Sequence, residues 1–255
     1  MVLLHGNDYC DKFSAEIFLK DFWGSLSDLN IFLISNAYVF LNNERLTGHR
    51  LLDFGCSPNL LGEIIAPERF TDIVMADLSP SNLDIIRRWM DGQKINFKWD
   101  HMLKFAAESC VMQMCQSGLK RKIAHLKTSV KKLVNCDAKK ELPLGPDYVE
   151  AFDVVFTSFC LGSAAKSVAE YKQFLKNVAS LLPSGGHLVM CGALNQMAYI
   201  VDNKRFHHLK LSMSDVKDAL CNAQFEILEY EFECITLPES EPPEYSVFVL
   251  LAIKV

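Results

Sequence analysis

Apolar residues along this chain gather in short runs, and the segments between them carry apolar positions at helical spacing. The runs Leu46 to Phe54, Thr71 to Ala76, Val130 to Asn135, Phe152 to Phe159 and His187 to Cys191 read as strands. The fourth, Phe152-Asp153-Val154-Val155-Phe156-Thr157-Ser158-Phe159, is nearly all apolar, as a central parallel strand buried on both faces would be. Helical spacing marks Phe13 to Trp23, Leu26 to Leu41, Asn59 to Ile65, Ser81 to Met90, Trp99 to Leu119 (with Leu103, Phe105, Val111 and Met114 apolar), Ala169 to Leu182 and Leu211 to Ala223. Residues 1 to 12 read as polar and loose, and Gly192 to Tyr199 as a rim segment. Phe225 to Ile235 and Ser246 to Lys254, joined by Pro238 to Glu244, predict a C-terminal antiparallel hairpin. Alternating strands and helices before it predict an α/β fold: a right-handed, mainly parallel sheet with helices on both faces.

Composition narrows the class. With 255 residues, half of them apolar, the chain can build one large α/β domain. The net charge of −5 gives no reason to expect a nucleic-acid partner. The basic run Lys120-Arg121-Lys122, Lys127 and Lys131-Lys132 has no interleaved aromatics and reads as a solvated face. Nine cysteines form no CxxC pair and read as reduced, mostly buried thiols, which predicts a cytoplasmic protein. His207-His208 lacks zinc-ligand spacing, so no metal is expected. Val2-Leu3-Leu4 is too short for a signal peptide, and Ile31 to Leu41, broken by Ser35 and Asn36, is too short to span a membrane.

The candidate chemistry sits where the first strand ends. Leu51-Leu52-Asp53-Phe54-Gly55-Cys56-Ser57-Pro58 reads as a buried strand, a tight turn that needs Gly55, and a helix start that suits Pro58. Asp77 closes the second strand, where an acid can accept bonds from ribose hydroxyls, and Asn82 follows in the next helix. A dinucleotide site normally needs three glycines against its pyrophosphate; this turn has one. It suits a nucleoside cofactor without phosphates, such as S-adenosylmethionine, with Asp53 placed to hold the methionine ammonium. An ordinary strand–turn–helix with a capping Asp is the bland alternative. Asp137, after the third strand, is placed to accept an adenine amino group. Cys160 to Ser163 would form the rim where an acceptor meets the methyl group.

These residues resemble the family of nicotinamide, phenylethanolamine and indolethylamine N-methyltransferases, from about Phe13 to Val255. The resemblance is carried by Leu52-Asp53-Phe54-Gly55-Cys56-Ser57-Pro58, Ala76-Asp77-Leu78-Ser79 with Asn82, Trp89, Asn135-Cys136-Asp137, Ser158-Phe159-Cys160-Leu161, Leu182-Pro183-Ser184-Gly185-Gly186 and Phe248 to Lys254. It implies a Rossmann-like seven-stranded sheet in a single domain, residues 1–255, with an N-terminal helical cap (1–45) and a cap insertion (91–128). It implies S-adenosylmethionine as donor, S-adenosylhomocysteine as product, and a small-molecule acceptor, an amine or N-heterocycle, bound by a monomer. Carried over by position, Gly55, Cys56, Ser57 and Pro58 line the methionine part; Asp77, Leu78 and Asn82 hold the ribose; Asp137 and Ala138 hold the adenine; Ser158 lies below the methyl donor. Phe18 and Trp23 cover cofactor and acceptor. Gly162, Ser163, Gly192 and Tyr199, with Phe18, face the acceptor; His207 and His208, near Tyr199 in sequence, are candidates to serve in place of the missing acids. No catalytic base is implied.

The chain departs from that pattern at Ser57, where the family has a second Gly; at Phe18, which lacks a phenol hydroxyl; and at Gly162 and Gly192, where the family carries acids. If position 57 has positive φ, a serine there costs about 1 kcal/mol. An acceptor of altered specificity is the expectation. The alternative is a silent paralogue that keeps the cofactor without turnover. A nicotinamide-dependent oxidoreductase lacks its glycines, and base methylation lacks an Asn/Asp-Pro-Pro-aromatic motif after the fourth strand.

Overall fold

A computed structural model describes residues 2–109, 116–238 and 240–255. Val111 and Met114, expected on a helix, lie outside them. In chain order the elements are β1 (Leu3–Leu4), α1 (Asn7–Lys12), α2 (Ala15–Trp23), α3 (Asp28–Leu41), β2 (Arg50–Phe54), α4 (Leu61–Ile65), β3 (Asp72–Asp77), α5 (Pro80–Met90), α6 (Asp100–Ser109), α7 (Gln116–Ser129) and β4 (Val130–Asn135). Then follow β5 (Val154–Ser158), α8 (Cys160–Ala164), α9 (Val168–Ala179), β6 (His187–Leu194), β7 (Ala198–Val201), β8 (Lys204–His207), α10 (Met213–Asn222), β9 (Phe225–Thr236), β10 (Ser240–Glu241) and β11 (Glu244–Lys254).

Seven strands form one sheet in the order β4-β3-β2-β5-β6-β11-β9. The pairs from β4 to β6 are parallel, and β11 runs antiparallel to both β6 and β9. This is the mainly parallel α/β sheet that the alternation predicted, with the seven strands and closing antiparallel pair that the resemblance implied. Successive residues serve opposite faces. Leu51, Ile73, Met75, Val154 and Phe156 pack under α3, α4 and α6; Leu52, Phe54, Val74, Val155 and Leu188 pack under α9 and α10. Leu51, Leu52 and Phe54 are fully buried, each worth roughly 1.5–3 kcal/mol relative to exposure. Strand order reverses between β2 and β5, so the carboxyl ends of β2, β3, β4 and β5 open onto one crevice.

Helix starts follow local chemistry. Ser27 and Asn30 form a capping box on α3, and Ser212 and Asp215 form one on α10. Ser79 occupies the N-cap of α5, but its hydroxyl bonds Ser81 rather than the backbone.

Three expectations need correction. The segment expected to be loose is ordered from Leu3 to Lys12: β1 pairs in parallel with β8, Leu3 opposite Arg205 and Leu4 opposite Phe206, and α1 follows. Gly192 to Tyr199 reaches the cleft only through Gln196 and Tyr199: Gly192 lies inside β6, and Ala198 opens a β7–β8 hairpin that joins β1 and β10 in a second, four-stranded sheet. Asp202 and Asn203 both have φ 53, the left-handed pair a two-residue hairpin turn requires. Lys122 is not solvated: it is buried, and its Nζ donates to the carbonyl of Ala66. Among the described residues, no helix is long and apolar enough to cross a membrane.

Candidate functional site

The turn after β2 is built by backbone bonds to β3. The N–H groups of Gly55 and Cys56 both donate to the Ala76 carbonyl, at 2.8 and 2.9 Å. Gly55 has φ 74, and a Cβ there would collide with Cys160. Ser57 follows at φ 58, and its N–H donates to Asp77 Oδ2 at 2.8 Å. Its hydroxyl is buried without a partner. Pro58 precedes α4 rather than opening it, and Asn59 Oδ1 accepts the N–H of Leu61 at 2.8 Å.

Asp77 is the hub. Besides Ser57, Oδ1 accepts from the Ser79 N–H at 2.8 Å and from Asn82 Nδ2 at 3.0 Å. Three of about four carboxylate acceptor positions are thus filled, leaving one for a sugar hydroxyl. Burial pushes this carboxyl up, opposed by those three bonds. Asn82 also donates to the Tyr9 hydroxyl at 3.0 Å, and Asn82 Oδ1 is buried without a partner. On the next strand, Asn135 Nδ2 bonds the Leu78 carbonyl at 2.8 Å, drawing the ends of β3 and β4 together.

These groups border a cleft of about 1340 Å³, open mouth included. Of the residues expected to touch the cofactor, Phe18, Trp23, Gly55, Ser57, Asp77, Leu78, Asp137, Ala138 and Ser158 line it; so do Ser163, Tyr199 and His208 from the acceptor set. Asp53, Cys56, Pro58 and Asn82 stand behind its wall. Gly162 and Gly192 border a separate small pocket of about 260 Å³, open mouth included. A Cβ on Gly162 would stand 2.5 Å from His208 Nε2, and one on Gly192 would stand 2.6 Å from the Phe248 ring. Neither glycine leaves room for an acid, which corrects the expectation that both face the acceptor.

The opposite wall is aromatic. Tyr9, Phe13, Phe18 and Phe22 run in sequence, with ring centroids 4.4, 5.2 and 5.0 Å apart. Phe22 meets Tyr199 edge-on at 6.2 Å, and Tyr199 stacks on Phe206 at 5.7 Å. Among the described residues, Asp77 and Asp137 are the carboxylates that line the cleft, both at its β3–β4 end. His208 is buried, with its ring against the backbone of Gln196 and Leu209. Burial pushes it down to about 4 against the pull of nearby backbone at Gln196 and Leu209, so it is neutral at pH 7. Burial raises the Tyr199 phenol, while a bond with Ser163 opposes the rise.

Behind the turn lies a buried acid pair. Burial raises Asp53 well above the carboxylate range, and the neighbouring Glu63 raises it further. Burial also raises Glu63, to about 7. Burial lowers Lys122 to about 8, opposed by Glu68 and Glu63.

Sequence reasoning found Phe13 and Phe22 in the aromatic helical run Phe13 to Trp23 but missed Tyr9, Gln196 and Glu63. Glu63 had a signal, an acid inside the apolar run Leu61-Gly62-Glu63-Ile64-Ile65. Tyr9 had none, because β1 meets β8 about two hundred residues later in the chain, a separation periodicity does not read.

A profile of the NNMT/PNMT/TEMT family matches residues 1–255. The chain is 28% identical over 246 residues to indolethylamine N-methyltransferase of Mus musculus, covering 94% of this chain and 91% of that one. It is 27% identical over 222 residues to nicotinamide N-methyltransferase of Homo sapiens, covering 87% and 83%. Among solved structures, the 1,6-didemethyltoxoflavin-N1-methyltransferase of Burkholderia thailandensis, with S-adenosylhomocysteine bound, shares the fold at TM-score 0.58 and 15% identity over 100% of this chain and 92% of that one. A strand-end acid hub beside a one-glycine turn, on this sheet and with a match along the entire chain, places the protein in the NNMT/PNMT/TEMT family of S-adenosylmethionine-dependent N-methyltransferases.

Proposed function

We propose that this chain transfers the methyl group of S-adenosylmethionine to a small-molecule acceptor, an amine or N-heterocycle, as a monomer in the cytoplasm. Neither nucleic acid nor membrane takes part. The carrying observation is Asp77, buried at the sheet switch point with one acceptor position left and aimed into an apolar cleft. The donor set suits the cofactor. Asp77 accepts a ribose hydroxyl, with Asn82 holding its carboxylate in place. Asp137 accepts the adenine amino group, with Leu78 and Ala138 against the ring. Gly55, Ser57 and Ser158 border the methionine and methyl end, with Cys56, Pro58 and Asp53 in a layer behind. When bound, the cofactor supplies an electrophilic methyl group on a cationic sulfur. Phe18, Phe22, Trp23 and Tyr199 shed water from that point and hold a ring in line with it.

Calorimetric titration with S-adenosylhomocysteine tests this. The parent protein is expected to bind, and Asp77→Ala and, independently, Asp137→Ala are each expected to weaken binding about tenfold or more. A parent protein that does not bind sinks the proposal.

A second reading is a paralogue that binds the cofactor without turnover. Ser57 favours it, because its left-handed backbone strains the cofactor turn. Turnover of any acceptor from a panel of amines, thiols and N-heterocycles removes it.

A further inference from the structure

β9 (Phe225–Thr236) forms one edge of the seven-stranded sheet and is the longest strand among the described residues. No described strand pairs with its outer side, so its outward backbone N–H and C=O groups lack strand partners. Register against β11 sorts its side chains. Glu229, Glu231 and Glu233 lie opposite Leu251, Val249 and Val247, on the sheet face that packs under α3. Tyr230 and Phe232 lie opposite Leu250 and Phe248, on the face that packs under α10. Glu231 and Glu233 are exposed, and among the described residues no ion pair engages either. Glu229 is held by Asn43 at 3.1 Å and by Arg45 at 3.3 Å. Phe232 is 63% exposed; Tyr230 is 39% exposed, with the Lys217 ammonium 4.7 Å from its ring centre.

Charge selects what this edge can meet. A second copy pairing antiparallel on β9 would set its three acids on one face against the same three, and like charges across a ladder are destabilising. Nucleic acid and anionic membranes carry the wrong sign. The acids by themselves would be enough to guard an edge strand against self-association. They do not account for two aromatic rings, two residues apart, standing in water on the opposite face. A strand that is cationic on one face and apolar on the other answers all three features: the unpaired ladder groups, the acids and the rings. No residue of β9 lines the cleft, so such a strand leaves the cofactor site free.

We infer that the outer edge of β9 docks an extended basic segment of another protein, which adds to the sheet as an eighth strand. Its side chains alternate. Lysines or arginines lie beside Glu229, Glu231 and Glu233, and apolar residues lie beside Tyr230 and Phe232. Main-chain bonds supply the common affinity of strand addition, and the alternation of charge and apolar surface supplies the selectivity.

The test is calorimetric titration of the full chain with two synthetic peptides of equal charge. The first is acetyl-Lys-Val-Lys-Val-Lys-Val-Lys-amide; the second has proline in place of the central valine and cannot donate to the ladder at that point. The first is expected to bind about tenfold tighter than the second, and to weaken as salt is raised from about 0.05 M to about 0.5 M. Phe232→Ser is expected to weaken the first peptide about fivefold. Glu231→Lys combined with Glu233→Lys is expected to weaken it about tenfold or more. These side chains are exposed, so thermal melts and S-adenosylhomocysteine binding are expected to stay at parent values in both variants. Equal affinity for the two peptides would reduce the effect to plain ionic attraction and overturn the inference. So would no binding of the first peptide, or binding that either variant leaves unmoved. A parent protein that sediments as a dimer and becomes a monomer on Phe232→Ser would assign the edge to a second copy instead, and also overturns it. Failure to bind S-adenosylhomocysteine removes the methyltransferase reading alone and leaves this edge to be judged by the peptides.

Discussion

At Ser57 the backbone is left-handed, φ 58, with a hydroxyl buried and unpartnered. Both features cost stability, while the backbone N–H at this position is one of three donors on Asp77. Ser57→Gly keeps that N–H and removes the side chain. It is expected to stabilise the protein by about 1 kcal/mol and to tighten S-adenosylhomocysteine binding; urea unfolding and calorimetry check the two parts. Unchanged stability would mean that the turn tolerates serine without strain. Asp77, Asp137 and Ser158 were legible in the sequence because each sits where a parallel strand ends, and strand ends are read from apolar runs. Gly162 and Gly192 were not, because the direction of a missing side chain depends on which ring it faces.

For single elements, pairing register decides the outcome. Gly192 lies opposite Phe248 in the β6–β11 ladder, and the ring covers the glycine. Gly192→Ala is expected to cost about 1–3 kcal/mol by overpacking, and Phe248→Leu in the same chain to recover much of it. Additive losses in thermal melts of the double variant would contradict this coupling. The β7–β8 hairpin teaches the same lesson. Its turn, Asp202-Asn203, is local, but the flanking Ala198 to Val201 is short, and its partners β1 and β10 come from distant parts of the chain. That small sheet places Leu4, Phe13 and Phe206 in one cluster and so closes Tyr9 over the cleft.

Across the whole molecule, α4 and α7 trap the Asp53–Glu63 pair beneath the cofactor turn, with Lys122 nearby. Glu63 has a folded pKa of about 7, above its ordinary value of 4.5. The folded state therefore binds more protons than the unfolded state between those values. Stability from this group is full below about pH 4.5 and is lost as pH rises towards 7. Glu63→Gln is expected to flatten that decline, which can amount to about 3 kcal/mol, in urea unfolding at pH 5, 6 and 7.5. Equal slopes in parent and variant would place the titration elsewhere.

The sequence alone determined the α/β class, the parallel core, the closing antiparallel strands and the acid hub, because burial on two faces and strand-end chemistry are local in the chain. The tertiary structure alone decided how Tyr9 closes over the cleft and why Gly162 and Gly192 are hemmed in. Tyr9 reaches Asn82, β1 reaches β8 and His208 fills the space above Gly162, all through contacts between distant segments. Such contacts are set by packing, where the absence of one Cβ admits another residue's ring, and no periodicity along the chain records that exchange.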